Sequence, residues 1–167
     1  MDKDSKWYLV QCKPRESFRA EIQLSNQGYQ CFHPTYPLKK TSRDSIQTLL
    51  SPLFPYYLFV SLNQLTSWSS IRSTRGVSRM VTFNGVPASI SNDLIEDLRN
   101  ICIKMNHSGP ENMFKKGDRV RITQGCFKDL EAIVMAPTGE ERVILLLNLF
   151  NRQQHLELPE TSLAMSG

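Results

Sequence analysis

Residues 51–62, with the sequence S-P-L-F-P-Y-Y-L-F-V-S-L, constrain the fold of this chain more than any other stretch. Two prolines, Pro52 and Pro55, precede the apolar part of the stretch. Because proline is tolerated at the start of a strand but not inside it, we expect a strand to begin after Pro55. The run that follows is continuously apolar and rich in aromatic residues, which is typical of a central strand covered on both faces. The stretch therefore predicts the middle of a sheet.

Alternation along this strand separates two kinds of side chain. Tyr57 and Phe59 point to one face of the predicted sheet, whereas Leu58 and Val60 point to the other. The aliphatic face suits a core under helices. The aromatic face suits either ordinary core or a surface that another domain or a partner covers.

Length and composition limit the protein classes to consider. A chain of 167 residues forms one domain or two small ones. No stretch is long and apolar enough to cross a membrane, and the first residues lead directly into a strand-like run. We therefore expect no signal peptide, anchor or membrane contact. Four isolated cysteines without metal-ligand spacing predict reduced thiols in the cytoplasm and no metal site. They are Cys12, Cys31, Cys102 and Cys126.

Charge is distributed unevenly along the chain. Residues 1–105 hold 13 Lys and Arg against 8 Asp and Glu, which is a net charge of +5. Residues 106–167 hold 7 against 8, which is a net charge of −1. A basic N-terminal part favours a polyanionic partner, above all nucleic acid.

Residues 1–105 alternate between strand and helix patterns. This alternation predicts an α/β sandwich of ferredoxin-like arrangement. The predicted elements are a strand at 6–12, a helix at 15–26 closed by Gly28, a strand at 29–33, a hairpin or loop at 35–50, the central strand, a short helix at 65–71, a strand at 79–83, a turn at Asn84 and Gly85, and a helix to 105 capped by Ser91.

The pattern changes after a polar linker at residues 106–113. Residues 114–167 contain short strand patterns at 119–123, 131–135, 142–149 and 154–158, separated by turn signals. Strands at such spacing predict a small C-terminal β-barrel. The overall fold class is therefore α+β, with two domains.

Residues 115–134 carry the most specific motif of the chain. Gly117 and Asp118 open a strand, Val120 and Ile122 face inward, and Gly125 permits a left-handed turn. Phe127 would then plug the barrel. This segment resembles a KOW motif, found in ribosomal and transcription-elongation proteins.

With the KOW motif in place, the first hundred residues also become recognisable. The segments W-Y-L-V-Q-C-K-P at 7–14, P-L-F-P-Y-Y-L-F-V at 52–60 and T-R-G-V-S at 74–78 resemble the N-terminal domain of the NusG family of transcription elongation factors. The resemblance extends over nearly the whole chain. Within the family it is closest to the specialised antitermination branch RfaH, through L-L-L-N-L-F-N at 145–151.

The resemblance implies two binding surfaces on the N-terminal domain. An apolar patch of Tyr57, Phe59 and the nearby Tyr8 would bind the clamp helices of the β′ subunit of bacterial RNA polymerase. A basic surface would face the exposed, single-stranded non-template DNA, because guanidinium groups pair with phosphate or stack on an unpaired base. Its candidates are Lys13, Arg15, Arg19, Gln23, Arg72, Thr74 and Arg75. At Gln23 the RfaH branch carries a histidine, and a glutamine side chain can also hydrogen-bond a base.

The resemblance also implies a role for the C-terminal domain. It would recruit a small-subunit ribosomal protein through Phe150, or the factor Rho in the general family member. In the RfaH branch the same domain also forms a helical hairpin over the clamp-binding patch. In that state Ile122 and Val134 would dock on the patch, and Arg142 would pair with an acidic residue whose position here holds Ser51. Between the two states, the sequence by itself favours the barrel.

The predicted function is therefore transcription elongation and antitermination by a monomer without a cofactor. An alternative is an RNA- or ribosome-binding KOW module without polymerase activity, although the net charge of −1 on residues 106–167 disfavours it. An enzyme is not expected, because the histidines His33, His107 and His155 are scattered and no nucleophile–base pair or phosphate loop is present.

Overall fold

The computed structural model describes residues 5–63, 68–108 and 126–156. Its helices and strands combine into a mixed α+β fold, as predicted. The strands are β1 (Lys6–Cys12), β2 (Gln30–Phe32), β3 (Thr35–Ser42), β4 (Ser45–Pro52), β5 (Tyr57–Leu62), β6 (Val77–Met80), β7 (Thr82–Phe83), β8 (Val86–Pro87) and β9 (Ser89–Ile90). The helices are α1 (Ser17–Asn26), α2 (Ser69–Arg72), α3 (Asn92–Ser108), α4 (Cys126–Met135) and α5 (Gly139–Leu156).

The predicted central strand lies inside the main sheet. In the described ranges this sheet has the order β2-β5-β1-β6, with β9 also paired to β1, and every pairing is antiparallel. β5 begins at Tyr57, two residues after Pro55, as expected from the inability of proline to donate to a ladder. Both faces of β5 are buried.

The two faces of β5 belong to two separate cores. Leu58 and Val60 pack with Ala20 and Leu24 of α1. Phe59 and its neighbour Tyr57 pack in a second cluster together with α3 and the C-terminal helices. The alternation predicted from the sequence is therefore confirmed, and the sheet separates α1 from the C-terminal helices.

The segment predicted as a hairpin or a loop is a hairpin. β3 and β4 pair along their full length, from Thr35 opposite Pro52 to Ser42 opposite Ser45. We call this two-stranded structure the ribbon. Every side chain from residue 38 to residue 50 is exposed, so the ribbon projects from the main sheet.

Several local signals are also confirmed. Gly28, just after α1, has a φ of 92°, and Asn84 and Gly85 have φ values of 53° and 77° in the turn between β7 and β8. The Leu94 amide donates to the Ser91 hydroxyl at 3.4 Å, so Ser91 caps α3.

The C-terminal segment departs from the favoured prediction. Residues 126–156 form two helices joined at residues 136–138, so strands at 131–135 and 142–149 are wrong for this state. The alternative, a helical hairpin, is the form that the structure shows. Some predictions lie outside the described residues. They are the strand at 119–123 with Ile122, the turn residues Gly117 and Gly125, and most of the linker.

The helical state follows from spacing and capping. Leu130, Ile133 and Val134 are buried at the i, i+3, i+4 positions of one helix face, and α5 repeats this spacing with Leu146, Leu149 and Phe150. At the start of α5 the Glu141 amide donates to the Thr138 hydroxyl at 3.1 Å. Glu140 and Glu141 in the first turn favour the positive end of the helix dipole. Both helices bury their apolar faces against the sheet.

Candidate functional site

An apolar face of the main sheet lies under the C-terminal hairpin. We call it the covered face and define it by Trp7, Leu9, Tyr57 and Phe59, which share one buried cluster. The register explains the grouping, because Leu9 stands opposite Phe59 and directly opposed residues of an antiparallel pair point to the same side. α3 and the hairpin together shield this face from water.

Phe59 lies in the middle of an aromatic stack that joins the sheet to the hairpin. Its ring centroid is 5.8 Å from that of Phe150 on α5, with an interplanar angle of 26°. On its other side Phe32 stacks at 5.8 Å and 24°. Offset stacking at such distances adds about 0.5–1.5 kcal/mol to the burial of each pair. Burial also raises the pKa of the neighbouring Tyr57 hydroxyl, an effect that Arg79 partly offsets.

The structure corrects the position of Tyr8. Tyr8 stands opposite Val60 and packs on Trp68, with a centroid distance of 5.3 Å, on the side of the sheet that faces α1. Its neighbours Trp7 and Leu9 reach the covered face instead. Tyr8 was assigned by resemblance alone, whereas strand alternation already opposed it to Trp7.

Among the residues that the structure describes, Arg142 anchors the hairpin through backbone carbonyls and an aromatic ring. Its Nε donates to the Leu53 carbonyl at 2.7 Å and its Nη1 to the Ala136 carbonyl at 3.1 Å. Its guanidinium carbon also lies 5.6 Å from the centre of the Tyr36 ring. Ser51, which the resemblance predicts as the counterpart of Arg142, is the cross-strand partner of Tyr36.

The other predicted C-terminal residues also lie at this contact. Val134 is 4% exposed and belongs to the same cluster as Tyr57 and Phe59. Phe150 is fully buried in this helical state. A partner could contact Phe150 only after the hairpin leaves the sheet.

Comparison with known proteins decides the family. The sequence model of the family described as "Transcription termination factor nusG" matches residues 5–99, which is more than half of the chain. The chain belongs to the NusG family. Its resemblance at residues 7–14, 52–60 and 74–78 falls within the matched region.

Individual NusG proteins match over most of the chain. A transcription termination/antitermination protein NusG from Helicobacter pylori is 26% identical, over 91% of this chain and 93% of its own length. The NusG protein of Lactococcus lactis is 24% identical, over 93% and 90% respectively. A solved structure described as domain interaction in Thermotoga maritima NusG is 18% identical, with a TM-score of 0.44 over 72% of this chain and 67% of that one.

The residues predicted for DNA come together on two adjoining segments of this NusG-family protein. The Lys13 amide donates to the Gly76 carbonyl at 2.8 Å, which joins the start of α1 to the loop after α2. Gly76 has a φ of 92°, and a Cβ there would lie 2.8 Å from the Ala20 nitrogen. Only glycine allows this close approach. Five exposed cations and one half-buried amide thereby share one region. The cations are Lys13, Arg15, Arg19, Arg72 and Arg75, and the amide is that of Gln23.

Thr74 supports this region from inside. It is 6% exposed, and its hydroxyl donates to the Ser70 carbonyl at 2.7 Å and accepts from the Gln27 amide at 2.8 Å. The hydroxyl is therefore occupied on both sides, and Thr74 holds the loop rather than offering a free contact. Arg19 pairs with Glu16 at 3.2 Å, an exposed ion pair that is weak in water and easily exchanged.

Sequence reasoning missed two residues, Arg99 and Phe32, that pack against the covered face. Arg99 of α3 lies 5.3 Å from the Trp7 ring centre and 5.2 Å from that of Phe32. Phe32 could have been found from the pairing of β2 with β5, where it stands opposite Phe59. The contact of Arg99 with two rings depends on the tertiary packing of α3 and has no sequence signal.

Within residues 5–63, 68–108 and 126–156, no three His, Cys, Asp or Glu side chains are grouped so as to hold a metal ion. In the same ranges no helix has the length and apolarity needed to span a membrane.

Proposed function

We propose that this protein is a cytoplasmic transcription elongation and antitermination factor that binds the β′ clamp helices of bacterial RNA polymerase through the covered face. The family match supports a role in transcription. The observation that carries the finer proposal is an aromatic sheet face whose present cover is a separate helical hairpin. A surface that buries Phe59 and Tyr57 under two amphipathic helices is suited to the helical coiled-coil tip of another protein.

The second part of the proposal concerns DNA. The basic region at Lys13, Arg15, Arg19, Arg72 and Arg75 belongs to the side of the sheet where α1 packs, and the covered face belongs to the other. A factor with this arrangement can hold polymerase on one side and the exposed non-template strand on the other. Phosphate pairing and base stacking by arginine would suppress pausing by limiting the movement of that strand.

The third part concerns the C-terminal hairpin. It occupies the covered face, so polymerase and hairpin compete for the same residues. We infer that the hairpin inhibits binding until it is displaced, and that the released segment, as a KOW-type barrel, recruits a small-subunit ribosomal protein through Phe150. The energies of two such packings can differ by only a few kcal/mol.

A pair of adjacent tyrosines tests the assignment of the polymerase site. Tyr57 is 8% exposed and belongs to the covered face, whereas Tyr56 is 44% exposed and does not. We expect Tyr57→Ala to weaken the binding of purified core RNA polymerase at least about tenfold, as for a buried aromatic anchor, and Tyr56→Ala to leave it nearly unchanged. Titration followed by fluorescence anisotropy measures both. Equal affinities for the two variants would refute the proposed site.

A further inference from the structure

We propose that the partner-binding surface continues from the covered face onto one side of the ribbon. There, Leu38, Leu49 and Lys40 would contact a helical partner that is longer than the docked C-terminal hairpin. This inference rests on the proposed function and extends it. The occupant is an α-helical hairpin whose apolar stripe is followed by a carboxylate. The proposal assigns partner-binding residues to the ribbon, which the clamp and DNA assignments leave without a role.

The two sides of the ribbon can be assigned from one half-buried residue, Tyr36. Tyr36 packs against the cluster of the covered face and lies under Arg142. Side chains alternate along a strand, and directly opposed residues share a side. Leu38 and Lys40 therefore lie on the side of Tyr36, together with their partners Leu49 and Gln47. We call this the inner side of the ribbon.

The remaining residues form the outer side. Pro37 with Leu50 and Thr41 with Ile46 are the pairs that face away from Tyr36. Exposure agrees with this assignment, since Leu50 and Ile46 are 60% and 70% exposed, whereas Leu38 and Leu49 are 38% and 46% exposed. Only the inner side is continuous with the covered face, where Tyr36 packs against the buried cluster.

The docked hairpin stops where the ribbon begins. Its tip packs at Pro55, since a Cβ on Gly139 would lie 2.6 Å from the Pro55 ring, and Arg142 reaches Tyr36 and Leu53. From there α5 runs back toward β9. Leu38 and Leu49 lie one residue pair beyond Tyr36 on the same side and remain largely exposed. The hairpin therefore covers the surface only up to its edge.

The chemistry of the inner side sets the kind of partner. Beyond Tyr36 on the inner side, the first cross-strand pair is the aliphatic pair Leu38–Leu49, and the second is the cation Lys40 opposite Gln47. These two pairs lie about 7 and 13 Å beyond Tyr36, because a strand rises about 3.3 Å per residue. A helix rises 5.4 Å per turn, so a partner helix one to three turns longer than the hairpin would place an apolar residue and then a carboxylate there.

A helical protein fits this surface better than nucleic acid does. The part of the surface already occupied holds two helices, and the extension begins with an aliphatic pair that a phosphate backbone would not desolvate favourably. The single cation at its far end then complements an acidic residue at the end of an apolar stripe. The outer side, where Lys39 lies among Pro37, Thr41 and Thr48, has no covered surface to continue.

The ribbon supplies its own matched controls, because neighbouring residues of the same type lie on opposite sides. We would measure binding of purified core RNA polymerase to the full chain carrying Leu49→Ser or Lys40→Glu, and to the controls Leu50→Ser and Lys39→Glu. Each variant is also made with Arg142→Ala, which removes the anchor of the hairpin. Thermal unfolding checks that all variants fold.

We expect Leu49→Ser to weaken binding about tenfold, the loss expected for one buried leucine, at every salt concentration. We expect Lys40→Glu to weaken it several-fold at low salt and less as salt rises. The outer-side controls should stay within about twofold of the parent, as for exposed residues outside an interface.

The result that overturns the inference is equal binding of the inner-side and outer-side variants. If Phe59→Ser still abolishes binding in that case, the proposed function stands and only the extension onto the ribbon is wrong. If Phe59→Ser binds polymerase as well as the parent chain does, the proposed function itself fails, and the inference fails with it.

Discussion

At the scale of single residues, Arg142 shows how the hairpin is held. Its side chain is 9% exposed and its bonds run to two carbonyl oxygens, Leu53 O and Ala136 O. A buried cation needs such acceptors, because an unpaired buried charge is costly. The carbonyls do not titrate, so the anchor should hold across the pH range in which carboxylates become protonated.

Replacing this anchor should release the hairpin. In Arg142→Met the Leu53 carbonyl loses a charged donor, and hydrogen bonds to charged groups contribute about 1.5–3 kcal/mol. We expect amide protection in residues 139–150 to fall roughly tenfold to a hundredfold in hydrogen exchange. Arg152→Met is the control, since Arg152 is 60% exposed and pairs with Asp129 only at the surface. Equal protection in both variants would contradict the role of Arg142.

The buried thiols allow a second prediction at this scale. Burial raises the pKa of the Cys12 and Cys102 thiols from 9.0 to about 12, and that of Cys31 to about 11. The thiolate is the reactive form. In native protein at pH 8, we therefore expect iodoacetamide to spare Cys12 and Cys102 and to react slowly with Cys31, whereas all three react in urea.

The raised pKa values of these thiols also determine how the stability of the fold changes with pH. Each thiol ionises at a lower pH in the unfolded chain than in the folded one, so these residues cost no stability below pH 9.0 and reduce it as pH rises from there toward about 12. Peptide mapping after alkylation measures the labelling. Rapid native labelling of Cys12 would contradict its burial between β1 and α1.

The sequence of residue types predicts much of the covered face, but it does not predict the hydrogen bonds that hold the hairpin against it. Strand alternation was enough to separate Tyr57 and Phe59 from Leu58 and Val60. Alternation also opposed Tyr8 to Trp7, and Tyr8 was misplaced only where resemblance overrode it. The partners of Arg142 are backbone atoms, which no side-chain pattern in a sequence can indicate.

At the scale of elements, the C-terminal segment shows the limit of local preference. Residues 142–149 suit a strand and a helix almost equally, so the pattern alone favoured a barrel. The sequence T-G-E-E at residues 138–141 matches the Ser/Thr-x-x-Glu capping pattern of a helix start, a signal that the prediction of a turn at this position does not use. Burial of Leu146, Leu149 and Phe150 against the sheet favours the helix. This packing is a tertiary contact, so the local sequence does not indicate it.

The hairpin tip offers a test of this balance. Alanine at position 139 would favour α5 by about 1 kcal/mol in helix propensity, yet its Cβ would lie 2.6 and 2.9 Å from two Pro55 ring atoms. Because the proline ring is rigid, we expect Gly139→Ala to undock the hairpin, and Pro55→Ala in the same chain to restore docking. Amide NMR shifts of residues 126–156 report the change. A more strongly docked hairpin in the single variant would mean that propensity outweighs the tip contact.

At the scale of the whole molecule, the main sheet separates the two proposed binding surfaces. α1 and the basic loops pack on one face, while α3 and the hairpin pack on the other. The hairpin thus covers the proposed polymerase site while the basic region at Arg15 and Arg75 stays exposed. In the proposed account, DNA can be contacted first and polymerase only after the hairpin is displaced.

The most direct test uses the two sides of one contact. Phe59 on the sheet and Phe150 on the hairpin stack on each other at 5.8 Å, so Phe59→Ser and Phe150→Ser remove the same interaction and both loosen the hairpin. The measurement is the affinity of each full-length variant for purified core RNA polymerase. The account predicts tighter binding than wild type for Phe150→Ser and loss of binding for Phe59→Ser. A change in the same direction for both would contradict the claim that the hairpin covers the polymerase site.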